Sequence, residues 1–291
     1  MTSILNIIYK TAPELKLDMY LPEHKNPNMP AIIYYHGGGW IEGDKTGIDN
    51  GFKLPIKKTL LDQGVVVISV NYRLMDHQYH FPDCIEDALD ATRFIRKHAQ
   101  EYQIDENNIG VMGTSAGAHI AMLQAYSDHA LYKVAPDLQG ISANVRYLVN
   151  IYGPTELVSL FHLQKLSAEN FPADLFNYAC LILKAMTGCD PLKEKNKIES
   201  ILKKYSPLTY VQQSDHPLVP CLTLHGEADE QVAINQAVML QQALTDSHTE
   251  NEFYSYPQVM HAFEKMTAQQ EQKMRHQCLK FIFKQIKRNA I

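Results

Sequence analysis

The sequence predicts an α/β protein in which helices cover both faces of a mostly parallel sheet of about eight strands. Short, nearly continuous apolar runs recur along the chain, a pattern typical of strands buried on both faces of a parallel sheet. Helical patterns separate these runs, as in a chain that alternates strands with helices. The 291 residues are 45% hydrophobic and 20% charged, which is typical of a globular protein with a large core.

Several segments have the pattern of strands. The second of them, over 15–21, alternates apolar and polar side chains and therefore predicts a strand with one solvated face. Most of the later segments are almost continuously apolar. In chain order, strands are expected over 5–9, 15–21, 31–35, 65–70, 109–112, 148–152, 221–224 and 251–256.

Helical periodicity is clearest over 83–99. Pro82 and Asp83 form a start signal there, and apolar side chains such as Ile85 and Leu89 recur on one face. The last expected helix carries Lys and Arg toward its C-terminal end, where the helix dipole favours positive charge. In chain order, helices are expected over 56–63, 83–99, 115–126, 233–246 and 267–288.

The alternation of strands and helices stops over 155–213, where the sequence is mostly helical, irregular and rich in Leu and Phe. Connections of this length are usually functional. We interpret 155–213 as a helical cap, or lid, inserted within a single domain that spans 1–291. Its apolar side chains are also compatible with the face of a homodimer.

Charge and composition argue against several classes of protein. Lys and Arg number 27 and Asp and Glu number 32, and the net charge of −5 provides no electrostatic footprint for nucleic acid or an anionic membrane. No apolar run approaches the roughly 18 residues of a membrane helix, and the first residues lack the pattern of a secretion signal. The five cysteines include no CxxC pair, so neither a disulfide framework nor a thiolate zinc site is expected. A cytoplasmic location is the resulting expectation.

The segment Gly113-Thr114-Ser115-Ala116-Gly117 lies between an apolar strand and a helix. A tight strand-to-helix turn needs these glycines because larger side chains would collide with neighbouring backbone. Such a turn projects the serine hydroxyl above the sheet, and the following helix points its N-terminus at developing negative charge. The alternative interpretation is that Ser115 only caps the helix.

A glycine-rich segment decides between these two interpretations. Residues 36–40, HGGGW, directly follow a buried strand, and their glycines leave backbone N–H groups unshielded. Acyl transfer generates an oxyanion that preorganised N–H donors stabilise. We therefore expect Ser115 to be a nucleophile and the N–H groups of Gly37, Gly38 and Ala116 to form an oxyanion hole.

A serine nucleophile needs a histidine that takes its proton and a carboxylate that orients the histidine. Asp229 follows the strand over 221–224, and His261 lies between the last strand and the last helix. Open α/β sheets place their ligands at these carboxyl ends of strands. The chain order Ser115, Asp229, His261 is the order of a catalytic triad on such a sheet.

Other residues fit these roles less well. The chain has 13 histidines, and four of them compete with His261 and fit less well; two glutamates compete with Asp229. These six residues are His36, His119, His225, His276, Glu227 and Glu230. His225 and Asp229 lack a third ligand nearby in the sequence, so no metal site is expected.

Together these motifs resemble the α/β-hydrolase superfamily, and within it the hormone-sensitive-lipase-like and acetyl/feruloyl-esterase-like carboxylesterases. The resemblance covers most of the chain and includes the segments 36–45, 71–74, 113–117, 225–232 and 261–263. It implies hydrolysis of a small-molecule ester by a serine triad with no cofactor. It assigns the triad to Ser115, Asp229 and His261 and the oxyanion hole to Gly37, Gly38 and Ala116.

The sequence also departs from the family pattern. Relatives of hormone-sensitive lipase often carry Gly-Asp-Ser-Ala-Gly-Gly, whereas Thr114 and Ala118 stand here in place of the Asp and the last Gly. Few residues precede the strand over 31–35, which favours the compact acetylesterase-like branch. The run Ser-Ala-Gly-Ala-His also resembles kynurenine formamidases, which use the same machinery on an N-formyl amide. Short acyl esters are the expected substrates, with a formamidase, a long-chain lipase and a non-catalytic receptor as alternatives.

Three further expectations concern the surroundings of the triad. The polar segments 43–45 and 71–73 are expected to hold the glycine-rich loop in place rather than to touch a substrate. Trp40 and Thr114 are assigned to the substrate pocket, with packing beneath the loop as the alternative for Trp40. If His261 is the general base, the rate rises between about pH 6 and 8.

Overall fold

The computed structural model describes residues 2–24 and 26–287, and within them eight strands form a single sheet. In chain order these are β1 (Thr2–Thr11), β2 (Glu14–Leu21), β3 (Met29–Tyr35), β4 (Val66–Val70), β5 (Ile104–Thr114), β6 (Leu148–Ile151), β7 (Cys221–Gly226) and β8 (Asn251–Tyr256). Across the sheet the order is β1-β2-β4-β3-β5-β6-β7-β8.

The helices lie between and after these strands. In chain order they are α1 (Lys53–Asp62), α2 (Asp83–Lys97), α3 (Ala99–Tyr102), α4 (Ala116–Tyr126), α5 (Leu157–Leu160), α6 (Ala173–Thr187), α7 (Lys195–Lys204), α8 (Pro207–Gln213), α9 (Asn235–Asp246) and α10 (Ala268–Lys287). Short 3₁₀ turns occur as well, among them Lys45–Asp49 and His261–Phe263.

The pairing of the strands confirms the predicted mostly parallel sheet. β1 pairs with β2 and β2 with β4 in antiparallel fashion, whereas all later neighbours, from β4 with β3 to β7 with β8, are parallel. The sheet therefore brings the carboxyl ends of β3, β5, β6, β7 and β8 to one edge. That edge is where the predicted site residues follow their strands.

The predicted elements are found, and their ends differ by a few residues. β5 begins at Ile104 rather than at the expected residue 109; the prediction missed the start of this strand because residues 105–108 are all polar. β1 also extends beyond the expected 5–9. The last helix was expected to end at Arg288, which lies outside the described residues; α10 is described to Lys287.

Each face of the sheet is covered by its own layer of helices. In β3, Ile33 and Tyr35 pack in the cluster that contains buried side chains of α2 and α4, and Ile32 and Tyr34 pack in the cluster of α1 and α10. Successive side chains of a strand point to opposite faces. Burial on both faces explains why this strand is apolar throughout.

Helices α5 to α8 occupy the segment 155–213 between β6 and β7. Buried side chains of this insertion, such as Leu157, Ile182 and Ile198, belong to the same apolar cluster as those of α2 and α4. The insertion therefore packs on that face of the sheet. None of the helices within 2–24 and 26–287 combines the length and the apolar character that crossing a membrane requires.

Candidate active site

Ser115 lies in the turn between β5 and α4 with φ 51° and ψ −121°. The turn is closed so tightly that a Cβ at Gly117 would overlap the carbonyl oxygens of Tyr35 and His36. A Cβ at Gly113 would overlap the Gly117 carbonyl. Only glycine fits at both positions, which is the steric reason expected from the sequence.

The structure brings the three predicted residues Ser115, His261 and Asp229 into one hydrogen-bonded line. The Ser115 hydroxyl lies 3.1 Å from Nε2 of His261, and Nδ1 of His261 donates to Oδ2 of Asp229 at 2.7 Å. The Asp229 side chain is fully buried, and that of His261 is mostly buried. This arrangement allows a proton to pass from the serine to a histidine that a carboxylate holds in place.

Asp229 is held by its own loop. Its Oδ1 accepts hydrogen bonds from the backbone N–H groups of Gln231 and Val232, at 3.0 and 2.8 Å. The loop is closed by the buried His225, whose Nε2 donates to the Val232 carbonyl at 2.7 Å and lies 3.5 Å from Oδ2 of Asp229. Burial lowers the pKa of His225, so its imidazole is neutral at neutral pH.

Tyr152 is a neighbour of these three side chains that the sequence did not reveal. Its ring meets the His261 ring edge-on, with centroids 5.0 Å apart, and its backbone has φ 43°. Phe263 packs edge-on against the same tyrosine at 4.9 Å. Tyr152 directly follows β6, the neighbour of β5, and this position at a carboxyl end was the available signal.

The glycine-rich loop passes directly beside the serine. A Cβ at Gly37 would lie 3.0 Å from the Thr114 carbonyl oxygen and 3.3 Å from the Ser115 Cβ. Gly38 has φ 125°, and its carbonyl accepts from the N–H of Glu42 at 3.0 Å. Ala116 is the first residue of α4, and an N–H at that position has no acceptor within its helix. Two of the predicted oxyanion-hole residues, Gly37 and Ala116, therefore lie next to the candidate nucleophile, and Gly38 follows Gly37 in the loop.

The two polar segments predicted to support this loop are bonded to it and to each other. The Tyr72 hydroxyl donates to the His36 carbonyl at 2.8 Å, and the two rings stack with centroids 4.3 Å apart. Asn71 accepts from the Lys45 N–H at 2.6 Å and donates to the Asp44 carboxylate at 3.0 Å. These contacts favour the structural interpretation of both segments.

Trp40 and Thr114, the residues assigned to a substrate pocket, are almost fully buried. The Trp40 indole N–H donates to Nδ1 of His119 at 3.2 Å, and Nε2 of His119 donates to the Tyr205 carbonyl at 2.7 Å. The Thr114 hydroxyl is bonded to that of Tyr34 at 3.0 Å. Both side chains therefore lie in the core beneath the loop rather than in the wall of an open substrate pocket. For Trp40, packing beneath the loop is the alternative expected from the sequence.

The competing residues have other partners or lie on the surface. His276 is exposed on α10, Glu230 is exposed, and Glu227 accepts from the Ser255 hydroxyl at 2.7 Å. Burial lowers the pKa of the three remaining histidines, His36, His119 and His225. In the part of the chain that the structure describes, no group of three or more His, Cys, Asp or Glu side chains is placed to hold a metal ion.

Comparison with known proteins yields one family match and many relatives. The family model BD-FAE matches residues 17–244, which is most of the chain. The chain is 25% identical over 262 residues to a probable isoprenylcysteine alpha-carbonyl methylesterase of Oryza sativa subsp. japonica, covering 86% of this chain and 55% of that protein. It is 28% identical over 221 residues to carboxylesterase NlhH of Mycobacterium tuberculosis, covering 76% and 58%.

A kynurenine formamidase of Danio rerio is 29% identical over 142 residues, which are 47% of this chain and 44% of that protein. The chain thus spans about half the length of the curated relatives it matches. The match to the formamidase is shorter than those to the two esterases.

Two solved structures resemble the fold over nearly the whole chain. A thermophilic esterase of Thermogutta terrifontis with butyrate bound has a TM-score of 0.74 at 21% identity, covering 96% of this chain and 93% of that one. A truncated carbohydrate esterase from gut microbiota has a TM-score of 0.75 at 23% identity, covering 98% and 96%. These likenesses show that the chain has the α/β-hydrolase fold.

Proposed function

The chain belongs to the BD-FAE family, and on that premise we propose that it is a serine carboxylesterase acting on short-chain acyl esters. The observation that carries the proposal is the hydrogen-bonded line from Ser115 through His261 to Asp229. The esterases among its relatives support the reaction class. The butyrate bound to an esterase of the same fold supports a short acyl group.

In the first half of the proposed reaction, the Ser115 oxygen attacks the ester carbonyl carbon while Nε2 of His261 takes the serine proton. Asp229 accepts from Nδ1 of His261, which fixes the tautomer and stabilises the imidazolium that forms. The carbonyl oxygen becomes an oxyanion. The N–H groups of Gly37, Gly38 and Ala116 stabilise it, and each such donor is typically worth about 10²–10³ in rate.

The imidazolium then gives its proton to the leaving alcohol as the bond between the carbonyl carbon and the alkoxy oxygen breaks, and the acyl group remains on Ser115. In the second half, His261 takes a proton from water while the water oxygen attacks the acyl carbonyl carbon. The imidazolium returns this proton to the Ser115 oxygen as the acyl bond to Ser115 breaks, which releases the acid and restores the serine. The same three side chains serve both halves, so the proposed cycle needs no cofactor.

The test is hydrolysis of p-nitrophenyl esters from acetate to palmitate by the wild type and by Ser115→Ala. We expect turnover of acetate or butyrate by the wild type and a loss of about 10⁴-fold or more in the variant. Ser142→Ala removes an exposed hydroxyl far along the chain from the site and is the matched control. Retention of activity in Ser115→Ala, or a wild type inactive on all esters, would contradict the proposal.

A formamidase is the second candidate, because one relative is a kynurenine formamidase and the chain carries the same Ser-Ala-Gly-Ala-His run. The kcat/KM values for N-formylkynurenine and p-nitrophenyl acetate, measured on one preparation, separate the two functions. A higher value for the formyl amide would replace the esterase proposal. Turnover of either substrate that Ser115→Ala abolishes would eliminate the non-catalytic receptor.

A further inference from the structure

The N-terminal half of α6 presents an uncovered apolar surface. Leu175, Tyr178 and Leu181 are 56%, 52% and 56% exposed, although they are large and apolar. Their spacing of three residues places them on one side of the helix. We call these three residues the α6 apolar face. Apolar groups this exposed are informative when they are contiguous, because contiguous patches on soluble proteins usually mark a binding site.

The α6 apolar face adjoins the glycine-rich loop. The Tyr178 hydroxyl lies only 2.9 Å from the position of a Cβ at Gly39, and Cδ1 of Ile182 lies 3.6 Å from it. Gly39 is two residues from Gly37, which passes beside Ser115. The middle of the face, at Tyr178, therefore lies at the rim of the candidate active site.

The other end of α6 is anchored to the body of the protein. Nδ1 of His80 donates to the Ala185 carbonyl at 2.7 Å, and the Phe81 N–H donates to the Met186 carbonyl at 2.9 Å. The Phe81 ring in turn packs edge-on against Trp40 at the end of the glycine-rich loop. These contacts hold α6 at a fixed position relative to the loop.

We propose that the α6 apolar face binds the acyl chain of the ester, so that acyl groups longer than acetyl gain binding energy in the transition state. The inference rests on the proposed function and deepens it. The face is about 9 Å long, since six residues of helix span about that distance, and this suits a chain of roughly eight carbons. An apolar surface that adjoins the oxyanion loop is suited to hydrocarbon because each methylene removed from water contributes favourably.

The experiment compares kcat/KM for p-nitrophenyl octanoate with that for p-nitrophenyl acetate in the wild type, Leu175→Ser and Leu181→Ser. We expect the octanoate-to-acetate ratio to fall about tenfold in either variant, because an apolar contact with the chain is lost. Leu131→Ser is the matched control, since Leu131 is a 47% exposed leucine outside the insertion, and its ratio should equal that of the wild type. Circular dichroism shows whether each variant is folded.

An unchanged ratio in folded Leu175→Ser and Leu181→Ser would overturn the proposal. A change seen with octyl acetate but not with p-nitrophenyl octanoate would overturn it too, because the face would then bind the alcohol. Loss of self-association or of binding to phosphatidylcholine vesicles, with an unchanged ratio, would assign the face to a second copy or to lipid instead. A wild type inactive even on acetate is a separate outcome that refutes the proposed function itself.

Discussion

Residues with positive φ cluster around the candidate nucleophile. Ser115, Tyr152, Ala262 and Phe263 have φ between 43° and 61°, a region that residues with side chains rarely adopt. Each such residue costs about 1–3 kcal/mol and persists only where its surroundings hold it. The Ser115 N–H donates to Ile151 and the Tyr152 N–H to Leu224, at 3.0 and 2.9 Å, so neighbouring strands hold two of these backbones.

The buried His119 makes the stability of the protein depend on pH. Burial lowers its pKa to about 4. The neutral ring accepts from the Trp40 N–H at Nδ1 and donates from Nε2 to the Tyr205 carbonyl. Protonation would place an N–H on Nδ1 that faces the N–H of Trp40. In the unfolded chain the imidazole titrates near pH 6.5.

We expect the free energy of unfolding to fall as the pH decreases from about 6.5 to 4. Over this range the unfolded chain binds a proton at His119 and the folded protein does not, which costs up to about 1.4 kcal/mol per pH unit. The contribution is fully present above about pH 6.5. His119→Gln should make the free energy of unfolding depend less steeply on pH. The measurement is a series of urea denaturations between pH 4.5 and 7.

The matched control for this series is His77→Gln, which changes an exposed imidazole and should keep the wild-type slope. The slope of His119→Gln is not expected to vanish, because burial lowers the pKa of His36 and His225 as well. A slope in His119→Gln equal to that of the wild type would refute the assignment.

At the scale of elements, buried ion pairs join α2 to β1 and to the loop after β4. The Asp87 side chain is fully buried and accepts from Nζ of Lys10 at 2.8 Å and from Nε of Arg73 at 2.7 Å. Nη1 of Arg73 also donates to Asp83 at 2.7 Å. Burial alone would lower the pKa of Arg73, but the carboxylates, chiefly Asp87, more than reverse this. Tyr72, which bonds the glycine-rich loop, is the neighbour of Arg73 in the chain.

Arg73→Met is expected to lower the free energy of unfolding by about 3–5 kcal/mol, because the Asp83 and Asp87 carboxylates lose a buried partner. Lys97→Met removes an exposed ion pair with Asp137 and should cost less than about 0.5 kcal/mol. Urea unfolding of both variants at neutral pH provides the measurement. Equal effects of the two substitutions would show that the Arg73 pairs contribute no more than a surface pair.

At the scale of the whole molecule, the insertion over 155–213 shares its core with the sheet. Its buried Leu157, Ile182 and Leu202 lie in the same apolar cluster as β3 and α4 side chains such as Ile33 and Ile120. A helical segment whose apolar face packs in that way has no separate core of its own. This favours the prediction that the insertion belongs to a single domain.

We therefore expect a single cooperative unfolding transition. Trp40 is the only tryptophan, and it packs between the glycine-rich loop and the Phe81 and His119 rings, so its fluorescence reports the core next to the insertion. Far-ultraviolet circular dichroism reports all the helices. Coincident urea transitions by the two probes would support one domain. A separate early loss of helical signal would instead indicate that the insertion unfolds on its own.

The sequence by itself determined the local elements and the order of the site residues. The spacing of apolar residues along the chain predicted the strands and helices, because it shows which face of a short segment is buried. The three candidate triad residues could be selected from the sequence because each lies in the connection after a strand of the parallel sheet, and Ser115 stands in a turn flanked by two glycines. The cytoplasmic location and the homodimer stay predictions.

Only the tertiary structure decided that β4 lies between β2 and β3 in the sheet, that β2 pairs with β4 in antiparallel fashion, and which residues surround the site. Tyr152 against His261, Tyr178 against the glycine-rich loop and Trp40 in the core are contacts between residues far apart in the chain. Periodicity shows that a side chain is buried or exposed, but it does not show which distant side chain it meets. Packing of the complete chain selects those partners, and with them the surroundings of the candidate site.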